Sequence, residues 1–235
     1  MRRSIITRKL VLAGIGGMLL GAGGAVALAS SVAPKLMVTP AAAALSAGTP
    51  QHPQGVRLAV TFGWQGLDEA SQPMVTKLDV WFPRGSVYNG ARYETCSLRV
   101  LDAFGPSRCP KASIMGNGTG NAYADTSITH PKITVLNGGR SAIYFYTVLN
   151  NPARVQEPVI GHITPLTGDF AYHLSVTIPP NLQVVAGIPI KLTYLQITAG
   201  RSNWISTTAP LAGIKVITTF SSGAANSELV WVQDA

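Results

Sequence analysis

Two of the four histidines in this chain of 235 residues bracket a carboxylate. In the stretch GHITPLTGDFAYH, His162 and His173 lie on either side of Asp169. With Thr167-Gly168 as a turn, the two imidazoles approach each other across a hairpin. Two imidazoles and one carboxylate form a donor set suited to a divalent metal. His162, Asp169 and His173 are therefore the candidate metal ligands, and the candidate centre if the chain is a secreted hydrolase or metal-dependent enzyme. The alternative is that both rings lie on a solvent-facing strand surface. His52 stands in a Pro-rich stretch and His130 precedes Pro131 at a turn. Neither G-x-S-x-G nor H-E-x-x-H occurs, the spacings that set a nucleophile on a strand-to-helix elbow or two imidazoles on one helix face. Asp68 and Glu69 are adjacent and read as a solvated loop. A Ser–His–Asp set is defined by geometry and not by chain order. The sequence leans away from an enzyme and implies no catalytic residue and no cofactor.

Whether the only two cysteines, Cys96 and Cys109, pair depends on the compartment. The chain begins MRRSIITRKLVLAGIGGMLLGAGGAVALASS. Arg2, Arg3, Arg8 and Lys9 precede an uncharged run from Leu10 to Ala29, which closes on the cleavage pattern Ala27-Leu28-Ala29. Residues 1–29 read as an export signal. The run of 20 residues also suffices to span a bilayer as a retained anchor, and Gly17-x-x-x-Gly21 would let such helices pack closely in a membrane-anchored assembly component. Either way the body of the chain is exported, secreted or associated with the cell envelope, where two thiols pair. Joining Cys96 to Cys109 closes a loop that contributes about 3 kcal/mol in the chain-entropy model. Between them SLRVLDAFG predicts a short helix capped by Ser97 and ended by Gly105-Pro106. Leu98 and Leu101, with Val100 or Phe104, supply its apolar side. The spacing does not suit a C-x-x-C redox pair, and the segment holds no further metal ligands.

The run Gly116-Asn117-Gly118-Thr119-Gly120 matches no phosphate-binding pattern, and no helix follows to supply a dipole. Alternating glycine in a strand predicts a bulge or the close approach of another backbone. The formal charge is +8, but without the four basic residues of the N-terminal segment 14 Lys+Arg face 10 Asp+Glu, a net +4. Such an excess suits attraction to an anionic envelope polysaccharide or a lipid surface. It lacks the clustered basic stripe of a nucleic-acid binder, so none is expected. The only membrane contact implied is through residues 10–29 if they are uncleaved.

Residues 30–54, with Pro34, Pro40, Pro50 and Pro53 among Ala, Ser and Thr, read as an extended linker. Residues 55–235 read as one domain of strands. VRLAVTFGW and MVTKLDVWF alternate with a period of two, and further runs follow at 132–136, 142–149, 158–166, 170–178, 190–198, 203–208, 214–220 and 228–233. Asn137-Gly138-Gly139, Thr167-Gly168-Asp169 and Ser221-Ser222-Gly223 are among the turns between them. The spacing predicts an all-β antiparallel sandwich or jelly-roll-like fold with one short disulfide-pinned helix. On it, Trp81, Tyr144 and Tyr146 are either core residues or an exposed platform for sugar rings or a protein partner.

Pro83-x-Gly85, Asn89-Gly90, Cys96-Ser97, Gly105-Pro106-x-x-Cys109-Pro110 and Ser113-x-x-Gly116-x-Gly118 together resemble a family of exported actinobacterial proteins of unassigned function. The resemblance is best over residues 78–120. It implies an all-β secreted domain with this cysteine pair, and implies nothing about activity.

Overall fold

The computed structural model describes residues 33–45, 51–208 and 213–234. The predicted export signal or anchor over 1–29 lies outside them. Among the described residues no helix is long and apolar enough to cross a membrane. The strands are β1 (Lys35–Ala44), β2 (Gln54–Gln65), β3 (Val75–Pro83), β4 (Ser86–Tyr88), β5 (Ile114–Ala124), β6 (Ser127–Thr129), β7 (Lys132–Asn137) and β8 (Ala142–Leu149). They continue as β9 (Val155–Pro165), β10 (Phe170–Thr177), β11 (Val184–Val185), β12 (Ile188–Ala199), β13 (Ile205–Thr207), β14 (Gly213–Phe220), β15 (Ala225–Trp231) and β16 (Gln233–Asp234). Two helices, α1 (Leu98–Phe104) and α2 (Pro180–Gln183), interrupt them.

The main sheet runs β15-β14-β3-β10-β9-β8-β7-β5-β12-β2-β1-β16, and only the β1–β16 pair is parallel. The expected all-β, antiparallel, sandwich-like fold is observed. The sheet curls until its far regions meet. β1 lies against β15, and Trp64 of β2 donates from Nε1 to Thr218 Oγ1 of β14 at 3.2 Å. Alternation drives the curl, because each strand has one apolar face to remove from water. Leu58, Val60 and Phe62 of β2 face Leu78 and Val80 of β3 and Leu174 and Val176 of β10 across the interior.

One region departs from expectation. Residues 30–54 read as a linker, yet Lys35–Ala44 is a ten-residue strand paired with β2 at every position. Its burial alternates, with Leu36, Val38 and Pro40 buried. Pro40 is tolerated because the ladder on the far side of β1 involves only Ala41 and Ala42. Burial of the leucine and valine outweighs the coil-like composition.

α1 follows its signals. Ser97 accepts a hydrogen bond from the Val100 amide at 3.3 Å, and Gly105 ends the helix at φ +71°, a conformation that costs glycine little. Leu101 is completely buried, whereas Phe104 is 66% exposed. The helix thus presents a narrow stripe to the sheet.

Candidate functional site

The hairpin histidines are brought to one face, without their expected carboxylate. β9 and β10 pair with His173 opposite Thr164 and Ser175 opposite His162. His162 and His173 are therefore diagonal neighbours on the outer face. His162 is exposed. Asp169 sits at the hairpin tip with its side chain 97% exposed, 3.9 Å from Arg84, and Arg84 Nε donates to the Gly168 carbonyl at 2.9 Å. Asp169 thus helps to hold the tip against the end of β3. Among the described residues no group of three or more His, Cys, Asp or Glu is placed to hold a metal.

The carboxylate that does meet His173 is Asp79, 94 positions away on β3. Strand alternation turns Leu78 and Val80 inward and Lys77, Asp79 and Trp81 outward. Asp79 Oδ1 lies 2.8 Å from His173 Nε2, and Lys77 Nζ lies 2.8 Å from Oδ2. Burial alone would raise the Asp79 pKa, but hydrogen bonds from Lys77, Ser175 and His173 and the Lys77 charge outweigh it and lower the pKa. An ionised carboxylate only accepts, so His173 is the donor. The imidazole stacks on Trp81 with centroids 4.4 Å apart at 13°. On the β14 side Lys215 Nζ lies over the same indole at 5.2 Å. Trp81 is thus flanked by two polar neighbours, which narrows the flat surface left for a sugar ring. Ser175 stands opposite Asp79 in the β3–β10 register and helps to hold the carboxylate ionised, which is not the order of a nucleophilic triad.

The cysteine segment forms a second cluster on the outer face of β7–β8. The Cys96–Cys109 disulfide, with Cα atoms 5.2 Å apart, holds α1 so that Leu101 packs with Leu136 and Tyr146. Beside it, Asn137 is fully buried at the end of β7. Its Nδ2 donates to the carbonyls of Gly90 at 2.8 Å, Glu94 at 3.0 Å and Tyr93 at 3.2 Å. Its Oδ1 accepts from Trp204 Nε1 at 3.1 Å and the Gly139 amide at 3.2 Å. Tyr88 packs edge-on against Trp204, and burial raises its hydroxyl pKa well above the usual value. Asn89-Gly90, Cys96 and Cys109 are thus parts of one scaffold. The glycine-rich strand behaves as its pattern predicts: a Cβ on Gly116 would fall 2.0 Å from the Thr198 carbonyl oxygen of β12, and one on Gly118 would fall 2.6 Å from the Gln196 carbonyl oxygen, so the two backbones approach too closely there for a side chain.

Sequence reasoning missed Asp79, Asn137 and the sheet's interior. Between the layers lies an apolar cavity of about 140 Å³, lined by residues of β2, β3, β7, β8, β9, β10, β12 and β13. Comparison with family models, curated proteins and solved structures finds no match.

Proposed function

We propose that the chain is an exported protein, secreted or held at the cell envelope, that acts as a binding or structural module and catalyses no reaction. The single observation that carries the non-enzymatic part is the state of Asp79. The outer-face carboxylate–imidazole pair has its carboxylate engaged by Lys77 and His173, and Ser175, opposite it in the β3–β10 register, helps to hold it ionised. Export is supported by the character of residues 1–29, by the likeness of residues 78–120 to exported actinobacterial proteins and by the disulfide, which an oxidising compartment maintains. The partners in keeping with this are an envelope polysaccharide, a lipid surface or another protein.

Fractionation of producing cells with mass analysis of the mature N-terminus tests the proposal. Material starting at Ser30 with the disulfide formed, recovered outside the cytoplasm, is the expected result. Full-length chain in the cytoplasm with free thiols would contradict it. Full-length chain in the membrane fraction would favour the anchored alternative.

A further inference from the structure

We infer that the interior of the curled sheet binds a single aliphatic chain that ends in an uncharged oxygen, with Ser86 hydrogen-bonding that oxygen. The inference rests on the proposal that the domain binds, and it names the ligand class. It can fail while export and the absence of catalysis both stand.

Among the described residues, three compartments lie in the interior. The central one, of about 140 Å³, includes Val80, Val135, Phe145, Val176 and Ile197 in its lining. A compartment of about 40 Å³ shares Leu58, Phe82, Ile143 and Ile205 with it. Another, of about 90 Å³, shares Ile133, Thr147, Val159, Ile178 and Leu195. The two outer compartments have no lining residue in common, so the three lie in a row. Protein interiors rarely keep voids larger than a water molecule, and an apolar cavity of roughly 150 Å³ stays dry and admits benzene-sized molecules. A row of compartments fits an extended chain better than a ring system. Phe82, Phe145, Leu195 and Ile197 point into this space and yet stay only partly buried.

The polar groups give the space a direction. The Thr147 hydroxyl is engaged with the Phe145 carbonyl at 3.2 Å, and the Tyr88 hydroxyl lies 2.9 Å from two carbonyls. Ser86, in the lining of the smallest compartment, differs. Its Oγ is buried and has no hydrogen-bond partner among the described residues. A buried hydroxyl without a partner is costly, and a ligand oxygen at that end supplies one. Among the described residues no Asp, Glu, Lys, Arg or His lines any of the three compartments, so a charged head would be left without a counter-charge. An alcohol or ester oxygen meets both conditions.

The test is calorimetric titration and thermal unfolding of the full chain with 1-decanol and with decyltrimethylammonium, both as monomers. 1-Decanol should raise the unfolding temperature in a concentration-dependent way. The cation should bind about tenfold or more weakly. Ser86→Ala should weaken 1-decanol binding about fivefold and leave the cation's unchanged. Val176→Phe, which fills the central compartment, should weaken 1-decanol about tenfold or more. Ser86→Ala leaves the apolar packing in place and decides the matter even if Val176→Phe does not fold. Absence of heat and of a thermal shift with 1-decanol, equal affinity for the cation, or no effect of Ser86→Ala would overturn the inference.

Discussion

The two faces of β7–β8 carry similar residues and are packed in opposite ways. On the outer face Leu136 and Tyr146 close against Leu101 and the disulfide, and Leu101 and Leu136 have no exposed surface. On the inner face Ile133, Val135, Ile143 and Phe145 border a cavity of about 140 Å³. By the usual cost of cavity volume, such a space forgoes on the order of 3 kcal/mol of contact. The disulfide staple contributes a similar amount by restricting the unfolded chain. The molecule thus closes its small outer cluster tightly and leaves room within the larger interior core. That division suits a module whose interior must accept a ligand without losing its frame.

The strongest way to break the contrast is at Asn137. Asn137→Ala removes the donor for three backbone carbonyls and the acceptor for Trp204 and Gly139. It should cost about 4 kcal/mol in urea unfolding, at the upper end for a single substitution. A cost below about 1 kcal/mol would show that the Asn137 network does not hold the segment at 88–95 in place. Next is the staple. Replacing Cys96 and Cys109 together by serine should lower stability by about 3 kcal/mol. A reductant should produce the same loss in the native chain and none in the variant. If the native chain is indifferent to reductant, the outer face does not depend on its covalent closure.

Smaller effects sharpen the contrast. Because donors hold the Asp79 pKa below the ordinary 3.8, the unfolded chain takes up its proton first as pH falls. The stabilisation is therefore complete above the ordinary range and is lost as pH falls through the lowered value. Acid unfolding of Asp79→Asn should be correspondingly less steep below about pH 4, the range in which an unperturbed carboxyl titrates. Equal pH slopes would show that the Lys77–Asp79–His173 cluster is energetically idle. Val176→Leu, on the inner face, should change stability by less than about 1 kcal/mol, where overpacking of a dense core costs about 1–3 kcal/mol.

Strands were legible where alternation was long. The run at 142–149 predicts β8 residue for residue, and Ser97 with Gly105-Pro106 marks both ends of α1. β1 was hidden because Pro40 and four consecutive alanines mask an alternation that rests on Leu36 and Val38 alone. The site was legible only in part. His173 stood out through its spacing from His162, but its true partner is 94 positions away and is selected by the β3–β10 register. Local spacing supplied Asp169, which the hairpin carries to its exposed tip. Asn137 looked like a turn residue because Asn-Gly-Gly is a turn signal, and its burial follows from the segment at 88–95 folding over it. The cavity has no local signature, since it is the gap left between side chains from eight strands.

The most direct test of the contrast is methyl NMR under increasing xenon pressure, since xenon enters dry apolar cavities of this size. The methyl resonances of Val80, Val135, Leu174 and Val176 should shift saturably, and those of Leu101 and Leu136 should not. Absence of a saturable shift at the inner residues, or an equal shift at the outer ones, would contradict the division between a tight outer scaffold and a roomy interior.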